Sequence, residues 1–212
     1  MALKVEVIVD SGMHAEEALG GSSRFEPLHL ALSSSHHLGD AILLRKHRTR
    51  RAGRGADGAV NQSASDYLRR KVWEPIGAEA DAPWLVDAQG FEVAHFGFNA
   101  VLRDYARLGR LLAHDGAWDG KQIIPARWMI DATTVKPADS YLAAGNAMPY
   151  FGYGYLLWLL PGPRRQFAFS GNNGQRVCID PASKLVMVQT ALEDTPKVGR
   201  LWSALVKQFG QE

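Results

Sequence analysis

The sequence predicts an α+β fold in which helices come first and an antiparallel sheet flanked by helices follows. Three observations carry this expectation. Residues 65–130 place apolar side chains at helical spacing between start and stop signals, residues 153–190 hold short aromatic and β-branched runs, and residues 198–209 return to helical spacing.

Each element follows from local chemistry. Ser65 is a candidate N-cap for a helix carrying Tyr67, Leu68, Val72 and Trp73, which Pro75 and Gly77 then end. Asn99 is a candidate cap for a second helix, with Leu102, Tyr105, Ala106 and Leu112 on one face and Arg103, Arg107 and Arg110 on the other. Pro125 suits the first turn of a third, containing Trp128, Met129 and Ile130. Tyr153 to Leu160, Gln166 to Ser170, Gln175 to Ile179 and Lys184 to Thr190 read as strands, the last two joined by a turn at Asp180-Pro181-Ala182-Ser183. Val198, Leu201, Trp202, Leu205, Val206 and Phe209 form a helical stripe that would pack on that sheet.

Composition bounds the function. With 212 residues, 46% of them apolar, the chain can build one good-sized core. A formal charge of +2 favours neither nucleic acid nor an anionic membrane as partner. The single cysteine, Cys178, excludes an internal disulfide and a cysteine-based zinc cluster, and no run is long and apolar enough to span a bilayer. A cytoplasmic protein is the simplest expectation.

The chain changes character near residue 63. Only Phe25 of the 20 aromatic residues lies in residues 1–63, which hold five of the seven histidines and a basic run from Arg45 to Arg54. No helical or strand period is sustained there, so residues 1–63 are expected to be a poorly structured or aberrant segment and residues 64–212 the folded part.

Several strings in the folded part resemble one family. Asp66-Tyr67-Leu68-Arg69-Arg70-Lys71-Val72-Trp73-Glu74-Pro75-Ile76-Gly77, Gly97-Phe98-Asn99-Ala100 with the helix after it, and Gly116, Trp118, Gly120, Ile124, Pro125 and Trp128 occur in order. Gly152-Tyr153-Gly154-Tyr155 with Trp158 follows, and then Ser170-Gly171-Asn172-Asn173-Gly174-Gln175 ending at Asp180-Pro181. Together they resemble the C-terminal part of β-lactamase-related serine hydrolases of the 6-aminohexanoate-dimer hydrolase type. Independent strings in the right order are far more specific than a lone motif.

The resemblance implies an incomplete β-lactamase/transpeptidase-like fold and a small-molecule amide or ester substrate opened through an acyl-serine, with no metal or other cofactor. In such enzymes a Ser-x-x-Lys pair on one helical face supplies the nucleophile and its neighbour, and Tyr-x-Asn or Tyr-x-Ser supplies a second proton-transfer group. None of the 12 serines here has lysine three positions on, and no tyrosine has Asn or Ser two positions on. Only the third element has a counterpart. Asn172, Asn173 and Gly174 would occupy it, with the N–H of Gln175 as oxyanion donor and Tyr153 and Trp158 lining a substrate cleft. The competing readings are a hairpin with Asn and Gly turn residues, and aromatic strand residues that serve the core. The upstream part that carries the serine is expected to be missing, so the chain alone should be inactive. The alternative is a non-catalytic remnant acting as a binding or interaction module, which leaves self-association open.

Residues 1–63 also permit a frame-shift hypothesis. Codons allowed for Ile42 to Lys46, read one nucleotide later, yield Phe-Tyr-Tyr-Val-Ser, with Tyr-x-Ser spacing; coding DNA incompatible with that reading overturns it. Other signals in the segment are weak. Gly53 to Gly58 fits G-x-G-x-x-G but follows a basic run rather than a buried strand, and Arg45 to Arg54 has no aromatic residue to stack on bases. His36, His37 and Asp40 match no metal-ligand spacing, while His95 and His114 are isolated and read as surface or loop residues.

Overall fold

A computed structural model of the protein describes residues 5–7, 60–88, 90–93, 97–191 and 197–210. In chain order the elements are β1 (Val5–Val7), α1 (Ala64–Leu68) running into a π-helical turn (Arg69–Trp73), α2 (Leu102–Ala113), β2 (Ala117–Trp118), β3 (Lys121–Gln122) and α3 (Ala126–Thr133). A 3-10 stretch (Pro137–Leu142) leads to β4 (Gly152–Gly154), β5 (Leu157–Leu159), β6 (Phe167–Ser170), β7 (Arg176–Asp180), β8 (Leu185–Gln189) and α4 (Lys197–Phe209). Two compact units result: one from residues 13–71 with 81–100, the other from residues 1–12, 72–80 and 101–212. The G-x-G-x-x-G string, the basic run, His36, His37, Asp40 and His95 all lie outside the described residues.

The larger unit is built on a sheet of order β1-β8-β7-β6-β5-β4, antiparallel throughout except that β1 runs parallel to β8. Alternation sorts the side chains. Leu157, Leu159, Phe167, Val177, Ile179, Val186 and Val188 pack with Ala106 and Leu112 of α2 and Met129 and Ala132 of α3. Ala168, Cys178, Leu185 and Met187 face the other way, onto Val198, Trp202 and Leu205 of α4. Because both faces are covered, β7 and β8 are buried almost throughout and read as continuous apolar runs. Burying each such aliphatic side chain contributes about 1.5–3 kcal/mol.

One expected strand is a hairpin. Residues 153–160 divide into β4 and β5 around a two-residue turn at Tyr155 and Leu156, with Gly154 paired to Leu157 and Leu156 at φ 69°. The turn lacks the Asn-Gly or Asp-Gly pair that marks such hairpins, so the run looked unbroken. The glycines of β4 have a packing cause: a Cβ at Gly154 would lie 2.1 Å from the Ala132 carbonyl oxygen, and one at Gly152 would lie 2.7 Å from that of Leu142.

Helix α2 is fastened at its start by Asp104, which has no exposed surface. Its Oδ1 accepts the Glu79 N–H at 3.0 Å and Arg107 Nη1 at 2.8 Å, while Oδ2 accepts the Ala80 N–H at 3.1 Å. The caps sit slightly away from the expected residues. The α2 cap position is Val101, with no side-chain cap, and Asn99 instead donates from Nδ2 to the Gly97 carbonyl at 2.9 Å. Pro125 is the cap of α3 rather than a residue of its first turn.

In the smaller unit α1 is capped by Ser63, whose Oγ accepts the Asp66 N–H at 3.1 Å; the expected cap, Ser65, gives its own N–H to Glu92 Oε1 at 3.0 Å. Isolated bridges pair Trp84 with Phe98 and Val86 with Glu92. Trp84 stands edge-on to Phe98 at 5.2 Å and donates from Nε1 to the Val93 carbonyl at 3.1 Å.

Candidate functional site

The connection from β6 to β7 is a tight turn closed by its own backbone. The Gly171 N–H donates to the Gln175 carbonyl at 2.9 Å, and the Gln175 N–H donates back to the Asn172 carbonyl at 3.3 Å. Reversal in so few residues demands left-handed backbone, which Asn173 supplies at φ 56° and Gly174 at φ 84°. Asn172 and Asn173 are exposed at the tip, while Gly174 is buried. The N–H expected to polarise a substrate oxygen is therefore occupied inside the turn, by a bond longer than the usual 2.9–3.0 Å.

Side chains brace this turn from β7 and β8. Arg176 donates from Nη1 to the carbonyls of Gly171 (3.2 Å) and Gln175 (2.9 Å). Gln175 exchanges both amide functions with the backbone of Ala191: Oε1 accepts the Ala191 N–H at 3.2 Å and Nε2 donates to its carbonyl. Gln189 donates from Nε2 to the Gly174 carbonyl at 3.0 Å. Sequence reasoning missed Arg176 and Gln189; the one available signal was a glutamine closing the otherwise apolar run of β8.

Tyr153 and Trp158 are brought together as a cross-strand pair of β4 and β5, with ring centroids 5.2 Å apart and planes at 68°. Phe151 joins them at 6.1 Å from Trp158. Trp158 is opposite Ala168 of β6 and so shares the sheet face that receives α4. The same register carries Leu156 to the level of Ser170 and puts the 155–156 turn at the end of the sheet where residues 171–175 turn. Tyr155 rests there against Trp128 of α3, 5.8 Å between centroids. Tyr153 and Trp158 thus lie on the sheet face, and Asn172 and Asn173 at its end. A shallow cleft of about 270 Å³ between α4 (Trp202, Val206, Lys207) and the loop at Pro161 and Pro163 includes none of these residues.

His114 is the C-cap residue of α2, in the turn that follows the helix as expected of a loop position, and is half-buried with its Nε2 inside. Burial, aided by the charges of Lys184 and Arg110 and opposed by Asp115, holds its pKa below the ordinary 6.5. No group of three His, Cys, Asp or Glu side chains suited to a metal ion occurs among the described residues. No helix there is long and apolar enough to cross a membrane.

Comparison with known proteins settles the fold. A solved structure from Bacillus anthracis, assigned as a 6-aminohexanoate-dimer hydrolase, superposes on 70% of this chain with a TM-score of 0.59 and 29% identity. About two thirds of this chain has the fold of part of a β-lactamase-like serine hydrolase. A Bacteroides dorei structure assigned as a β-lactamase shares that fold over 74% of the chain, with a TM-score of 0.53 at 18% identity. In sequence, 142 residues are 27% identical to the 6-aminohexanoate-dimer hydrolase of Paenarthrobacter ureafaciens. The matches span 36% of that relative and 38% of the Bacillus anthracis protein. No protein-family model matches the sequence.

Proposed function

We propose that this chain carries one wall of a β-lactamase-related hydrolase site for small-molecule amides or esters, and that its 212 residues alone perform no acyl-serine chemistry. In this reading Gly174 and the Gln175 N–H form the oxyanion side of the site, Asn172 and Asn173 give polar contacts, and Tyr153 and Trp158 offer apolar surface to the substrate chain. The observation that carries it is the braced 171–175 turn in a fold shared with 6-aminohexanoate-dimer hydrolases. The bond from the Gln175 N–H to the Asn172 carbonyl is long at 3.3 Å, and a charged oxygen is a stronger acceptor than that neutral carbonyl.

Disarmament follows from chemistry. An acyl-enzyme needs an activated hydroxyl, and no serine in these residues has the lysine neighbour that would activate it. A site without its nucleophile keeps only binding and oxyanion effects, a loss of several orders of magnitude in rate. No metal, nucleotide or nucleic acid takes part in this reading. A cytoplasmic location is proposed with it, since a chain with one cysteine needs no disulfide and suits a reducing compartment. Residues 1–63, except β1 beside β8, are taken as a segment apart from 64–212.

Titration with the linear 6-aminohexanoate dimer, followed by NMR, tests the reading. Shifts concentrated at Asn172, Asn173, Gln175, Tyr153 and Trp158 are expected, and an unchanged spectrum at these residues overturns it. Treatment with a fluorophosphonate or penicillin is expected to leave the intact mass unchanged. A mapped serine adduct would overturn the disarmed state.

A second reading, as an interaction module, has its own support. Trp128, Tyr141, Tyr150, Phe151, Tyr155 and Leu156 are all exposed within one stretch of the larger unit. Exposed apolar residues concentrated in this way mark contact surfaces. Light scattering that shows a monomer up to high concentration counts against self-association through them.

A further inference from the structure

Gln189 ends β8 with 6% of its surface exposed, opposite Arg176 of β7 and after four apolar residues of its own strand. A buried amide there is costly unless it is bonded, and among the described residues its Nε2 donates to the Gly174 carbonyl at 3.0 Å. That carbonyl and the Gln175 N–H belong to a single planar trans peptide, so the two groups point in opposite directions. Anchoring the carbonyl aims the N–H.

The peptide needs such an anchor. Gly174 at φ 84° has no Cβ to restrain rotation about it, and Asn173 before it is also left-handed. The Gln175 side chain, tied to Ala191, fixes the residue after the peptide but not the plane of the peptide itself, and the tie on the plane's other side, the Gln175 N–H to the Asn172 carbonyl, is long at 3.3 Å. We infer that Gln189 is a positioning residue: through the Gly174 carbonyl it sets the Gly174–Gln175 peptide plane and so the direction in which the Gln175 N–H is presented. The inference rests on the reading of the 171–175 turn as the ligand-facing element. It adds a residue on a different strand that would govern the donor without touching substrate.

NMR of the full chain, without ligand, tests it. In the parent protein a scalar coupling across the hydrogen bond between Gln189 Nε2 and the Gly174 carbonyl carbon is expected, and its absence overturns the inference whether or not any variant folds. In Gln189→Glu, held at a pH high enough to ionise the new carboxyl against its burial, the carboxylate has the same shape but no proton to donate. The Gly174 carbonyl and Gln175 amide signals should move, with Gln175 hydrogen exchange faster by about tenfold, while Val177 and Ile179 stay in place. Acidification restores a donor, so both signals should return toward their parental positions. A purely packing role would give no such return, and an unmoved Gln175 amide in the variant would also overturn the proposal. These signals need no ligand, so they stand or fall apart from the dimer titration.

Discussion

Arg164 places Nη2 2.6 Å from Oδ2 of Asp180, a carboxylate with no exposed surface. The same carboxylate accepts Gln166 Nε2 at 3.3 Å, Ser183 Oγ at 3.0 Å and the Ala182 N–H at 3.2 Å. Gln166 in turn accepts Trp202 Nε1 at 3.2 Å, and Arg164 donates to the Gly210 carbonyl at 2.9 Å. One buried charge therefore joins the approach to β6, the β7–β8 turn and α4.

Removing that charge should be severe. Asp180→Ala leaves Arg164, Gln166 and Ser183 without their shared acceptor, and a loss of about 3–5 kcal/mol is expected. Urea unfolding measures it. A loss below about 1 kcal/mol would mean that water replaces the carboxylate at little cost.

Gly154→Ala tests the close approach of β4 to α3. The new Cβ would lie 2.1 Å from a backbone oxygen, which cannot rotate away as a side chain could. Destabilisation of about 1–3 kcal/mol is expected, read as a lower Tm. An unchanged Tm would show that α3 shifts freely.

The half-buried imidazole of His114, with Nε2 inside, predicts an acid-sensitive stability. Its folded pKa is depressed, so on acidification the unfolded chain takes up the proton first. Its contribution is complete above the unfolded value of about 6.5 and declines as pH falls from there toward the folded pKa. His114→Gln should flatten this part of the profile. Equal slopes between pH 5 and 7.5 for parent and variant in denaturant titrations would refute the assignment.

Cys178 should be inert in the folded protein. Burial on the α4 face of the sheet pushes its thiol up to about 12, with Arg176 pulling weakly the other way. At pH 8 only roughly one thiol in ten thousand would be ionised, and the thiolate is the reactive form. A disulfide reagent should titrate no thiol before unfolding and one afterwards; rapid native labelling would show that the face opens.

Legibility followed how local each cause is. The stripe from Val198 to Phe209 was readable because one apolar face of a helix repeats along the chain, and α4 runs over Lys197–Phe209. The β7–β8 hairpin was readable for the same reason, with β-branched runs on both sides of a turn sequence. The 155–156 turn was hidden because Leu156 adopts a left-handed backbone that its residue type does not advertise. At the candidate site, Asn172, Asn173 and Gly174 announce a turn. Gln189 could not be tied to it, because 15 residues separate it from the Gly174 carbonyl that it meets.

By itself the sequence determined the α+β order of elements, the strings shared with a hydrolase family and the missing Ser-x-x-Lys, all properties of residue type and spacing. Tertiary structure decided which donors of the 171–175 turn are already engaged and which side chains hold it. The physical reason is that hydrogen-bond partners across a sheet are chosen by register and burial, and neither is written in any short stretch of chain.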